Sequence, residues 1–307
     1  MKKNIIAIDL GSNSIRILKM DCNRTESIST FHQTVKTADG LTTTGKISKG
    51  ALNRIINAIN KAKTQIDFSD SSIKAVTTEA MRRAENRDEI LNKIELETGV
   101  RFNIINGDDE AKYALIATKE RLRLLGATPK SFVLADIGGA STELIFHYIE
   151  SDKTIAKSFA IGIVTLAQSF KTLSEIANAI STLMNDIKHF CHDIYNKYGK
   201  VEQFIAIAGT PTTIASMKLG LTYSTYDKDK INGTILTRID LVKQLKRLLL
   251  MSPEERIESV GNGREDLIAS GVLIYEELYN ICKFNISTVI DDGVREGVAL
   301  CECQKSE

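Results

Sequence analysis

The sequence predicts an α/β protein of two domains, and three observations carry that prediction. The chain has 307 residues, more than one compact core usually serves and suited to two domains of about 120 to 170 residues each. Apolar strands alternate with amphipathic helices in both halves, the pattern of sheets layered with helices. One chemical pattern also occurs twice, as Ile8-Asp9-Leu10-Gly11-Ser12-Asn13-Ser14-Ile15-Arg16-Ile17 and as Ala135-Asp136-Ile137-Gly138-Gly139-Ala140-Ser141-Thr142-Glu143-Leu144. In each copy an apolar strand ends at an Asp, a Gly follows two positions later and a Ser five positions later, and an apolar run resumes.

Each copy reads as strand, tight turn, strand. The turns consist of Gly and small hydroxyl or amide residues, which let backbone N–H groups approach an anion closely. The candidate phosphate-binding residues are therefore Gly11, Ser12, Asn13 and Ser14 in the first copy and Gly138, Gly139, Ala140 and Ser141 in the second. The chain continues after each turn as strand, so neither is a phosphate loop of the kind that opens a helix. Either turn alone is ordinary hairpin chemistry. As a matched pair, one per half, they can grip a phosphate chain from both sides.

Along the first half, strands are predicted at 4–9 and 15–20, then a helix at 49–66. In that helix Leu52, Ile55, Ile56, Ile59 and Ala62 keep the spacing of one buried face, with Ser48 placed as N-cap. A strand at 73–77, a helix near 87–97, a short strand at 102–105 and a helix from about Glu110 complete this half. The stretch 119–130 has no clean period and contains Gly126 and Pro129, which makes it the candidate hinge. The pattern restarts with a strand at 132–137, the second turn and further strands to about 161. A long helix after Ser174 then carries Ile176, Ile180, Leu183, Ile187, Phe190 and Ile194 on one face. A strand at 203–208 runs into Gly209-Thr210-Pro211-Thr212-Thr213, where another small-residue turn opens a helix and supplies a third candidate phosphate contact through Gly209 and Thr210.

Composition is that of an ordinary globular protein, with 43% hydrophobic and 26% charged residues. Net charge is +1, so no broad cationic field suits DNA or RNA. No apolar run approaches the roughly 18 residues of a membrane span and no signal pattern appears, so a cytoplasmic location with no membrane contact is expected. The five cysteines, Cys22, Cys191, Cys282, Cys301 and Cys303, are odd in number and scattered. They argue against a disulfide framework and, lacking partner ligands, against zinc.

Three further positions suit a phosphate site. The segment Thr78-Glu79-Ala80-Met81-Arg82-Arg83 follows a buried strand, which places Arg82 or Arg83 at the carboxyl end of a sheet, where α/β folds bind ligands. A guanidinium there can hold phosphoryl oxygens bidentately. Asn106-Gly107-Asp108-Asp109-Glu110-Ala111 puts three carboxylates at a helix start. Acidic residues there complement the helix dipole; beside a phosphate chain, one of them can orient or deprotonate an attacking water. Asp136 and Glu143 flank the second turn, and Asp9 occupies the matching place in the first. Carboxylates of this kind suit Mg²⁺, which bridges to substrate phosphate and offsets its charge.

These residues together resemble the exopolyphosphatase and guanosine pentaphosphate phosphohydrolase (Ppx/GppA) family of the actin-like ATPase superfamily. The two turns correspond to its phosphate motifs, Thr78-Glu79-Ala80-Met81-Arg82 to its arginine segment, and Gly107-Asp108-Asp109-Glu110-Ala111 to its acidic segment. Ile161-Gly162-Ile163-Val164-Thr165-Leu166, Gly209-Thr210 and Gly293-Val294-Arg295-Glu296-Gly297 follow in the expected order. The resemblance implies two actin-like (ribonuclease H-like) domains, at 1–125 and 126–307, an interdomain cleft, and a final helix near 296–307 returning to the first domain. It also implies Mg²⁺-dependent release of a terminal phosphate from polyphosphate or guanosine pentaphosphate, with Glu110 as catalytic base, Arg82 as phosphate-binding arginine, and Asp136, Glu143 and Asp9 on the metal side. A homodimer and the family's short form, without a C-terminal helical domain, are further implications. The sequence departs from the family in having Ala140 in place of a third Gly, where a methyl narrows the approach to phosphate if the position requires positive φ, and Asp109 where Glu is common. An ATP-dependent kinase or ATPase, and a non-catalytic sensor of polyphosphate or alarmone nucleotides, are the rival readings.

Overall fold

The computed structural model describes residues 4–305. It forms two compact units, Met1–Ala117 with Gly293–Glu307, and Thr118–Asp292. The first unit opens with β1 (Asn4–Leu10), β2 (Ser14–Asp21) and β3 (Glu26–Thr34), then α1 (Leu41–Thr44), α2 (Lys49–Gln65), β4 (Ser71–Thr77), α3 (Glu79–Arg83), α4 (Arg87–Thr98), β5 (Phe102–Ile104) and the start of α5 (Gly107–Leu124). Its sheet has the order β3-β2-β1-β4-β5. The pairs β3/β2 and β2/β1 are antiparallel, and β1/β4 and β4/β5 parallel. Ile5, Ile6, Ala7 and Ile8 are all buried, as expected of a central strand covered on both faces. The predicted cap of α2 is present, with Ser48 Oγ accepting from the Ala51 N–H at 3.1 Å.

The second unit contains β6 (Ser131–Ile137), β7 (Thr142–Tyr148), β8 (Lys153–Phe159), α6 (Ile163–Ser169), α7 (Leu173–Leu183), α8 (Asn185–Tyr198), β9 (Gln203–Ile207), α9 (Gly209–Lys218), α10 (Lys228–Ile231), β10 (Ile235–Thr237), α11 (Arg238–Leu250), α12 (Pro253–Val260), α13 (Ile268–Cys282) and β11 (Ile286–Val289). Its strand order is β10-β11-β9-β6-β7-β8. Without β10, this is the first sheet again: an antiparallel meander β6–β8, with β9 and β11 added in parallel on the other side of β6. The repeated turn motif therefore marks a repeated sheet. The last helix, α14 (Val294–Gln304), belongs to the first unit. There Val294, Val298, Ala299 and Cys303 pack with Ile5, Ala7, Leu18, Met20 and Val76.

Several expectations need correction. The division falls between Ala117 and Thr118, inside α5, not at 125/126. Gly126, at φ +68°, follows the end of that helix at Leu124, so its turn chemistry does not mark the division. The helix after Ser174 is two helices, because Met184 leaves helical geometry at φ −95°, ψ 13° while the apolar face continues through the break. The strand β3 has no counterpart in the prediction: all its residues but Phe31 are exposed or half-buried, as on a sheet edge. The cysteines are not all free. Cys22, just beyond β2, is disulfide-bonded to Cys303 of α14, 281 positions away, a pairing that no local spacing reveals. Residues 1–3 of the predicted first domain and 306–307 of the predicted last helix lie outside the described residues.

Candidate active site

The two hairpin turns close identically. Gly11 N–H donates to Ser14 O at 3.0 Å, and Gly138 N–H to Ser141 O at 2.9 Å. The flanking pairs are also equivalent, Leu10 opposite Ile15 and Ile137 opposite Thr142. Each turn has carbonyls anchored from behind. Val35 and Lys36 N–H donate to Asn13 O and Ala38 N–H to Ser12 O; Ile163 N–H donates to Gly138 O and Val164 N–H to Gly139 O. Among the described residues, the backbone N–H groups of Ser12, Asn13, Gly139 and Ala140 have no protein acceptor. Two successive unpaired N–H groups in a tight turn make a concavity suited to an anion. Ala140 is not among the residues at positive φ and its methyl is buried, so the departure from the family's Gly leaves the turn intact.

Seven positions after each Asp, directly across the hairpin, the copies differ in charge. Asp9 faces Arg16, whereas Asp136 faces Glu143. Glu143 is 2% exposed and accepts from Ser158 Oγ at 2.7 Å, which fixes one carboxylate oxygen. Asp136 opposite it is buried as well. Mg²⁺ is commonly held by one or two carboxylates with substrate phosphate completing its shell, so Asp136 and Glu143 are a donor set that fits it; no group of three or more His, Cys, Asp or Glu side chains suited to a metal occurs among the described residues. Asp9 lies within the electrostatic reach of Arg16 and Arg295. Burial raises its pKa to about 6, against the opposing pull of Arg16 and Arg295.

The structure selects one residue from each ambiguous segment. Arg83 is exposed, whereas Arg82 points inward. Its Nε and Nη2 donate to Glu79 Oε2 at 3.0 and 2.8 Å, and its Nη1 to Ile105 O at 2.6 Å and Glu110 Oε2 at 3.0 Å. Four of the five guanidinium N–H groups are thereby engaged. Burial opposes its charge, but the Glu110 and Glu79 carboxylates hold its pKa above the ordinary value. Of the three carboxylates opening α5, Asp108 and Asp109 are exposed and only Glu110 is buried, at 8%. Asn106 organises this helix start, its Oδ1 accepting from Asp109 N–H at 2.8 Å.

The third turn opens α9, with Gly209 and Thr210 as its first residues. Thr210 is fully buried, and a Cβ on Gly271 of α13 would lie 2.2 Å from its Oγ1. Its Oγ1 is buried and has no hydrogen-bond partner among the described residues. The strain lies one step earlier: Ala208 sits at φ 72°, ψ −169°, a region essentially reserved for glycine. Arg264, absent from the sequence-based candidates, donates from Nη2 to Gly209 O at 2.7 Å and Thr213 Oγ1 at 2.8 Å. Also missed were Glu79, Ser158 and Arg16, although Arg16 was legible as the repeat's counterpart of Glu143.

Paired turns on duplicated sheets, together with a buried carboxylate held by an arginine, place the chain among two-domain phosphatases of actin-like fold. The chain belongs to the Ppx/GppA phosphatase family, whose sequence profile matches residues 17–306. That match begins just after the first turn, so the first turn is tied to the second by the repeat and its geometry. Exopolyphosphatase 2 of Mycobacterium tuberculosis is 25% identical, over 96% of this chain and 97% of that protein. The Aquifex aeolicus PPX-GPPA enzyme is 27% identical with a TM-score of 0.74, covering 97% of this chain and 99% of that one. An exopolyphosphatase structure from Cytophaga hutchinsonii, 21% identical, shares the fold at a TM-score of 0.85 over 98% of both chains. No helix among the described residues is long and apolar enough to cross a membrane.

Proposed function

We propose that this protein releases the terminal phosphate of inorganic polyphosphate by attack of water. The observation that carries the reading is the duplicated turn, with its two pairs of unpaired backbone N–H groups. In phosphoryl transfer the transition state is loose and its charge spreads over the phosphoryl oxygens, so catalysis consists mainly of positioning and electrostatic stabilisation. The N–H groups of Ser12, Asn13, Gly139 and Ala140 take phosphoryl oxygens, and the Arg16 guanidinium adds a positive charge beside the first turn.

Glu110 orients the attacking water and accepts its proton. It pairs with Arg82 at 3.0 Å, which fixes its orientation, and in a loose transition state the water needs alignment more than early deprotonation. Arg82, braced by Glu79, positions that carboxylate and keeps one N–H for a phosphoryl oxygen. Asp136 and Glu143 would hold Mg²⁺, with Ser158 keeping Glu143 in place. When bound, the metal neutralises phosphate charge and polarises the transferring group. Guanosine pentaphosphate presents the same terminal phosphoanhydride and is the second substrate to test.

The test is phosphate release by purified protein with Mg²⁺ from long-chain polyphosphate, short-chain polyphosphate, guanosine pentaphosphate and ATP, with Glu110→Gln as control. Glu110-dependent release fastest from polyphosphate is the expected result. Fastest release from guanosine pentaphosphate reassigns the substrate, and binding without release from any of the four supports a sensor instead.

A further inference from the structure

We propose that the Cys22–Cys303 disulfide is a redox-reversible latch that holds α14, and with it the Arg295–Glu296 pair, against the sheet of the first unit. Helix α14 is tied covalently to the first unit at its carboxyl end and carries a buried charge pair within its own first turn at its amino end. At its carboxyl end, Cys303 is bonded to Cys22 beside β2. At its amino end, Gly293 N–H donates to Glu296 Oε2 at 2.9 Å, and Arg295 Nε donates to Glu296 Oε1 at 2.7 Å. Both side chains are buried and both act electrostatically on Asp9, two residues ahead of the first turn. One helix thus links a cystine to the charge balance of a phosphate-binding hairpin. Between its ends it is held by the apolar contacts of Val294, Val298 and Ala299.

The remaining thiols leave the state of the latch to an outside reagent. Cys191 and Cys282 are buried in the other unit. Cys301 is a poor internal attacker, since burial raises its pKa and keeps it protonated. Cys22 is the more accessible half of the bond, being partly exposed where Cys303 is buried. A thiolate of a dithiol reductant attacks the Cys22 sulfur, forming a mixed disulfide and expelling the Cys303 thiolate, which takes a proton from solvent. The reductant's second thiol then closes onto its first sulfur and releases Cys22 as a thiol. The cystine gains two electrons and two protons, and the dithiol becomes a disulfide.

The test uses the whole protein, air-equilibrated and after dithiothreitol. Non-reducing peptide mapping is expected to find the Cys22 and Cys303 peptides joined. Reduction is expected to lower Tm by about 5 to 15 °C and to speed amide exchange at least about tenfold in α14, and measurably in the turn 11–14. The double variant Cys22→Ser/Cys303→Ser should match the reduced protein and ignore dithiothreitol; if it does not fold, the reduced wild type supplies the same comparison. Absence of the joined peptides, or unchanged exchange in α14 or in the turn on reduction, overturns the latch. Any effect on turnover rests on the polyphosphate reading, so phosphate release is measured in parallel. Failure to release phosphate in either redox state counts against that reading, while the exchange data still decide the latch.

Discussion

The hairpins β1–β2 and β6–β7 share a backbone and differ in charge and in support. Their turns close through equivalent hydrogen bonds at 3.0 and 2.9 Å, yet Arg16 faces Asp9 where Glu143 faces Asp136. Behind the first turn lies a loop around 35–38; behind the second lies the start of α6. There a Cβ on Gly162 would come within 2.5 Å of the Gly139 backbone, and one on Gly138 within 2.9 Å of Ser141 O, while at Gly11 the nearest atom is 3.6 Å away. The repeat keeps one turn backbone, with two successive N–H groups left unpaired in each copy. The side chains across the strands differ in charge, Arg16 opposite Asp9 in one hairpin and Glu143 opposite Asp136 in the other, and in the proposed reaction the first supplies a cation and the second carboxylates for a metal.

The largest effect is expected outside both hairpins and sets the scale for them. Glu110→Gln should lower kcat by about 10² to 10⁴ with an unchanged urea midpoint; full turnover would remove Glu110 from catalysis. The charge contrast itself is tested by pairing Glu143→Gln with Arg16→Gln. The first should raise the Mg²⁺ concentration needed for half-maximal rate. The second should raise KM about 10- to 100-fold, the value of a charge-assisted hydrogen bond, with little change in that Mg²⁺ requirement. Equal metal dependence in the two variants would erase the division of labour.

The contrast in support predicts stability. Gly162→Ala should cost about 3 kcal/mol, the upper range for overpacking against fixed backbone, whereas Gly11→Ala should cost under about 1 kcal/mol, since the added methyl meets only ordinary contact. Urea denaturation of the two variants measures the difference, and similar losses would mean that the turns are equally tight.

Asp9 offers a pH signature. Its folded pKa lies near 6 against an ordinary 3.8, so between these values the folded state holds the proton more tightly. Stability from this group therefore falls as pH rises through that window, and above it the buried charge is a standing cost. In metal-free buffer Asp9→Asn should be more stable than wild type by about 2 kcal/mol at pH 7 to 8, reduced from the full shift because Asp9 is partly exposed. The gap should close toward pH 4; a gap independent of pH would show that the substitution acts through packing.

The smallest effect lies where the two sheets hand over to helices. Thr78, after β4, has φ −121°, while Ala208, after β9, has φ 72°. Ala208→Gly should raise stability by about 1 kcal/mol through relief of strain, visible as a higher Tm. A loss would mean that the strain is already offset by its surroundings.

Local chemistry was legible in the sequence because it depends on neighbours in the chain. The turns at Gly11 and Gly138, the cap at Ser48 and the apolar run of β1 follow from φ preference, a side-chain acceptor and hydrophobic pattern. By the same logic β3 was missed, since an exposed edge strand carries little apolar signal, and α7 and α8 read as one helix because the apolar period crosses Met184. Among the site residues, the acidic segment was legible as a helix start, but the choice of Glu110 over Asp108 and Asp109 was not. Only the arrival of Arg82 from another segment distinguishes them.

By itself, the sequence determined that this is a duplicated α/β protein with two small-residue turns and a set of phosphate-compatible charges near them, because strand pattern, turn chemistry and repeat spacing are properties of adjacent residues. The tertiary structure decided which charges meet. It set Arg16 against Asp9 and Glu143 against Asp136, turned Glu110 toward Arg82, buried Thr210 against Gly271, and brought Cys303 to Cys22 across 281 positions. Those outcomes depend on sheet register and helix docking, and both are fixed by contacts between residues far apart in the chain.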